Sequence, residues 1–117
     1  MSEVREVVKP IVLTDTTNGD KFTLEFNRES VRFAEMKGFK IDDVSEKPMT
    51  ALPMLFYFAF RMHHKALPKD KVDKLFEEMG GLTEAMIERL GQLYAMPFNS
   101  LIQDEEELKN SKVTVEL

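Results

Sequence analysis

The chain has no cysteine. That excludes a disulfide framework, a thiolate nucleophile and a thiolate zinc site. It also lacks an apolar run long enough to cross a bilayer, which takes about 20 residues. The longest such stretch, Met49 to Met62 (MTALPMLFYFAFRM), is shorter, and Thr50 and Arg61 interrupt it. The N-terminus, MSEVREVVKP, shows no basic region followed by a long apolar run, so a secretory signal is not expected and a cytoplasmic location is. Positive charge is scarce too. Lys and Arg number 16 against 21 Asp and Glu, a net charge of -5. That balance argues against nucleic acid and against an anionic membrane surface, since both need clustered cations. There is no internal repeat and no low-complexity segment. At 117 residues, one domain is expected, spanning residues 1–117.

Signatures of chemistry are equally sparse. No G-x-S-x-G, H-E-x-x-H or phosphate-loop spacing occurs. His63 and His64 are adjacent, and neighbours on a helix point about 100° apart, so they cannot chelate one ion together. A solvated helix end is the simpler reading for them. Asp15, Asn18 and Asp20 surround Gly19, but D-T-T-N-G-D departs from the calcium-loop pattern. Gly80-Gly81 is not followed by Lys-Ser or Lys-Thr and reads as a helix stop. Asp42-Asp43 and the run Asp104 to Glu107 read as solvated. No catalytic residue, no metal site and no cofactor is therefore expected.

What the chain does contain is a set of strong local signals. Asn18-Gly19 is a hairpin turn pair. As a two-residue loop it sets Leu13 opposite Leu24 and Ile11 opposite Phe26, within a hairpin over residues 7–26. Asn27 is a good N-cap for a helix from Arg28 to Lys37, with Val31, Phe33, Ala34 and Met36 toward the core. Gly38 stops that helix. The segment from Phe39 to Lys47 reads as a connection. Thr50 suits the N-cap of an apolar helix running to about His64, with Pro53 in its first turn. Pro68 opens a helix in which Val72, Leu75, Phe76 and Met79 follow the amphipathic spacing. Thr83 caps another that buries Met86, Ile87, Leu90, Leu93 and Tyr94, with Leu82 and Ile87 as a hydrophobic staple. Pro97 ends or kinks it, and a short helical continuation through Phe98, Leu101 and Ile102 can follow. The alternation at Val113 and Val115 is strand-like. The fold class expected is α+β: an N-terminal hairpin packed on a bundle of about four helices over residues 28–103, then an acidic tail over 104–117.

Eight methionines and nine phenylalanines remain to be placed. Most such residues fill cores. Some of these can instead form a forgiving surface for an apolar partner. The apolar helix is apolar all round, which leaves one side without an evident partner inside the chain. The candidate partner-binding residues are Met54, Phe58, Met62, Met86 and Met96.

Three whole segments resemble the small tail assembly chaperones of long-tailed bacteriophages of Gram-positive bacteria. They are FTLEFNRESVRFAEMKGFKI (Phe22 to Ile41), EKPMTALPMLFYFAFRMHH (Glu46 to His64) and GGLTEAMIERLGQLY (Gly80 to Tyr94). The resemblance implies a non-enzymatic protein that binds and solubilises the helical tape measure protein and recruits tail tube subunits. It also implies a homo-oligomer, and a short form of a product that many phages extend by frameshifting. Two rival readings are a structural virion component of the tail or head, and a small acidic regulator of a host protein.

Overall fold

A computed structural model describes residues 8–101 and 112–117 of the chain. The expected α+β architecture is present. Strands β1 (Ile11–Thr14) and β2 (Lys21–Leu24) form an antiparallel hairpin. Helices α1 (Arg28–Met36), α2 (Asp43–Glu46), α3 (Pro48–Phe58), α4 (Lys69–Met79) and α5 (Glu84–Ala95) follow, and a 3-10 helix, Met96–Ser100, continues α5.

The hairpin forms with a different loop. Asp15 and Asp20 close it, with the Asp15 amide donating to the Asp20 carbonyl at 2.7 Å. The Asp15 carboxylate then accepts from the Thr17 amide at 3.0 Å and the Thr17 hydroxyl at 2.6 Å. This local capture makes a four-residue loop, Thr16 to Gly19. Gly19 alone in it takes a positive φ, +79°, so the tight turn that needs Asn18 there as well does not form. Leu13 therefore faces Phe22, and Ile11 faces Leu24. The register moves by two residues, an even step, so the apolar set stays on one face.

A two-stranded hairpin is marginal alone. Here the outer edge of β2 and the residue after it are tied to the end of α3. The Glu25 amide donates to the Ala59 carbonyl at 3.0 Å, and the Thr23 amide donates to His64 Nε2 at 2.9 Å. The opposite face packs on the helices through Leu24 and Phe26, both buried.

Helix α1 begins as its sequence indicates. The Asn27 side chain accepts from the Ser30 amide at 2.8 Å, and the Ser30 hydroxyl accepts from the Asn27 amide at 2.8 Å, a reciprocal capping box. Ser30 is fully buried, and its hydroxyl also donates to the Asn27 carbonyl. Asn27→Ala is expected to cost about 1 kcal/mol of stability, read as a lowered urea midpoint. Gly38, at φ +87°, ends the helix, and the Phe39 amide closes back on the Ala34 carbonyl at 3.0 Å. Met36 points to solvent, 74% exposed, rather than into the core.

The connection after Phe39 contains the single turn α2. Helix α3 starts earlier than Thr50, at Pro48, whose fixed φ and missing amide suit a first position. Pro53 thus lies inside the helix and not in its first turn. The helix stops at Phe58, and tight turns carry the chain on to His63. Helix α4 ends at Gly80, as its Gly-Gly pair indicates. Thr83 caps α5 by accepting from the Met86 amide.

The core is one cluster, with α3 at its centre against α1, α2, α4 and α5. Two trains of edge-to-face rings leave α3 in different directions. Phe58 meets Phe33 and Phe39, and Phe39 meets Tyr94, which meets Phe26. Phe56 meets Phe76 and Phe60, and Phe60 meets Phe22. Such pairs add about 0.5–1.5 kcal/mol each beyond the area they bury. Burial pushes the Tyr94 phenol up to about 12, with a smaller effect from the Glu35 carboxylate.

Ile102 and the run Asp104 to Glu107 lie outside the described residues. Residues 112–117 form no strand, and Val113 and Val115 stand 69% and 55% exposed. The outer edge of β2 is already occupied, so it offers that segment no ladder. No helix among the described residues is long and apolar enough to cross a membrane.

Candidate protein-binding surface

The five methionine and phenylalanine residues singled out by spacing differ in exposure. Phe58 is only 3% exposed, enclosed by Phe33 and Phe39, and presents no surface to a partner. Met54 is half-buried and packs against the core. Met62 lies beyond the end of α3 and is 37% exposed. Met86, in the first turn of α5, and Met96, at its end, are half-buried. On the side of α3 expected to lack a partner, Phe58 is enclosed by Phe33 of α1 and by Phe39, while Met62 stays exposed.

The two histidines also depart from a solvated helix end. His63 Nε2 lies 2.7 Å from a Glu25 carboxylate oxygen. His64 is half-buried, its ring edge-on to Phe22 at 5.4 Å. Its Nε2 accepts the Thr23 amide, so that lone pair is used and the proton sits on Nδ1. Burial, then the neighbouring His63, holds the His64 imidazole below its ordinary value. The pair is a clasp between the hairpin and the end of α3.

Open apolar surface gathers elsewhere. A groove of about 450 Å³ runs between α1 and the 3-10 helix. Val31, Pro97, Phe98 and Leu101 supply its apolar wall, and Arg28, Glu29, Arg32 and Glu35 its rim. Phe98 and Leu101 are 41% and 58% exposed. The positions follow from sequence physics. Arg28 and Arg32 are one helical turn apart on α1, with Val31 on the adjoining inward stripe. The 3-10 helix that continues α5 brings Phe98 and Leu101 beside α1. Within the rim, Glu29 is engaged by Arg61 Nε and Nη2 at 3.1 and 2.8 Å. That hydrogen bond keeps the Glu29 carboxyl below the usual range. The Arg61 guanidinium also stacks 3.5 Å from the centre of the Phe33 ring.

All four polar residues of the groove are exposed. A small-molecule site ordinarily has a few convergent polar groups set in a concave, largely enclosed pocket. This open trough with a charged rim instead suits the side of a polypeptide. In the sequence, Phe98 and Leu101 read only as part of a short helical continuation. Their meeting with α1 is a long-range event that no local pattern shows.

The chain belongs to a family of domains of unknown function, DUF5055. The family model matches residues 1–117. No curated protein and no solved structure matches the chain. Membership in DUF5055 thus assigns kinship without assigning an activity.

Proposed function

We propose that this DUF5055 protein is a non-enzymatic tail assembly chaperone of a long-tailed bacteriophage. It binds the tape measure protein, keeps it soluble and helps recruit tail tube subunits. It does so as a homo-oligomer in the bacterial host cytoplasm, without catalytic residues or cofactor. The likeness of the three segments Phe22 to Ile41, Glu46 to His64 and Gly80 to Tyr94 carries this reading. Those segments include β2, α1, α3 and α5, the elements that build the core. The open apolar groove beside α1 supports it by offering a place for a helical partner. The net charge of -5 suits a protein that holds an apolar client in solution.

Co-expression with the tape measure protein tests the proposal. The expected result is a soluble tape measure protein that co-purifies with the chain, and a chain absent from purified virions. A strict monomer by light scattering that fails to co-purify sinks the chaperone reading. Retention in mature particles would instead make the protein a structural part of the virion.

A further inference from the structure

Among the described residues, the rim of the groove carries two arginines against two glutamates, one of them already paired. The chain is acidic overall, yet Arg28 and Arg32 stand on the exposed face of α1 and neither has an ion-pair partner among the described residues. Glu29, the nearest carboxylate in sequence, is already committed to Arg61 at 2.8 Å. Glu35 is the one other acid in the lining among the described residues. With Glu29 neutralised, the rim is net positive beside an apolar wall. Unsatisfied cations next to exposed Phe98 and Leu101 match a polypeptide that brings both apolar side chains and carboxylates.

We infer that the groove receives one face of an amphipathic helix from a partner protein. Its apolar residues, spaced i, i+3 or i+4, lie on Phe98 and Leu101, and its flanking carboxylates meet Arg28 and Arg32. This is the helix-in-groove mode, in which apolar anchors give most of the affinity and rim charges set selectivity. The inference rests on the reading of the protein as a binder of helical partners, and adds where such a helix sits and what charge it bears.

Two synthetic peptides of roughly 18 residues, long enough to hold helical structure, test it against the full chain. Both carry Leu at i, i+3, i+4 and i+7. One has Glu at the flanking positions and the other has Lys. Fluorescence polarisation is expected to show the Glu peptide binding about tenfold tighter, with the gap narrowing at high salt. Amide shifts on binding should fall at Val31, Arg32 and Phe98. The double variant Arg28→Glu, Arg32→Glu should reverse the preference. It should also fold, since both residues are exposed and Glu is a good helix former. Leu101→Ser should weaken both peptides alike. Equal affinity for the two peptides, or shifts confined to another face, overturns the inference. So does self-association that the double variant abolishes, which would give the groove to a second copy. Tighter peptide binding after Asp104→Asn with Glu105→Gln, Glu106→Gln and Glu107→Gln would give it to the chain's own acidic run and overturn it too. Undiminished co-purification of the double variant with tape measure protein rejects this groove but leaves the proposed function standing. Selective peptide binding by a chain that ignores tape measure protein does the reverse.

Discussion

Phe58→Ala is expected to lower the free energy of unfolding by about 3–5 kcal/mol, read as a fall in the urea midpoint at constant slope. The ring is 3% exposed and sits edge-on to Phe33 at 5.9 Å and to Phe39 at 5.7 Å. Truncation removes both contacts and leaves a void where α3, α1 and the turn after α1 meet. For a domain whose total stability is of order 5–15 kcal/mol, that is a large fraction. Met49 provides the contrast. It begins the same apolar stretch but is 91% exposed, and Met49→Ala is expected to change stability by no more than about 0.5 kcal/mol. A loss under about 1 kcal/mol for Phe58→Ala, with altered partner binding, would return that residue to the surface role its spacing suggested.

Acidification is expected to weaken the hold of the hairpin through His64. A protonated imidazole carries N–H on both nitrogens and cannot accept the Thr23 amide. The folded chain therefore resists protonation at His64 while the unfolded chain takes the proton at the ordinary value of 6.5. With the folded value lowered, the stabilisation is fully present above about pH 6.5. It is lost as pH falls from there through the folded value. His63, Glu25, Tyr57, Arg61 and Lys65 are the charged or titratable groups around the ring among the described residues. All are retained in His64→Leu, so comparison with that variant isolates the imidazole. His64→Leu removes the acceptor and is expected to cost about 1–3 kcal/mol at pH 7.5. Its stability should then fall less than the wild type's between pH 7.5 and 5. Urea midpoints at the two pH values measure the difference, and the Thr23 amide resonance locates it. Parallel losses in the two proteins would remove His64 from the clasp.

Much of the fold is legible in short stretches because the forces that start and stop elements are local. Asn27 and Thr83 cap helices through bonds to amides three residues on. Gly38 and Gly80 stop helices because each takes a positive φ that other residues avoid. The spacing of Val72, Leu75 and Phe76 on α4 gives its packed face directly. The misreadings share a cause. Asn18-Gly19 is a strong turn signal, but Asp15 captured Thr17 first and lengthened the loop. Thr50 is a good cap, yet Pro48 already supplied the pre-set φ of a first turn.

The candidate site was far less legible. Hydropathy treats Phe58, Met54 and Met62 alike, because composition records that a residue is apolar and not whether a neighbour reaches it. Phe39 and α1 reach Phe58 and leave it 3% exposed, whereas Phe98 and Leu101 stay 41% and 58% exposed. Likewise His64 is an unremarkable histidine until β2 presents an edge amide to it.

By itself, then, the sequence determined the α+β class, the caps Asn27 and Thr83, the stops Gly38 and Gly80, the acidic balance and the absence of thiol chemistry. These follow from backbone preference, side-chain period and charge, all of which act over a few residues. Only the tertiary structure decided which apolar residues are core, that two arginines flank an open groove, and that the histidines clasp the hairpin. Those depend on contacts between residues about 20 to 70 positions apart, and such contacts are set by how the helices pack together.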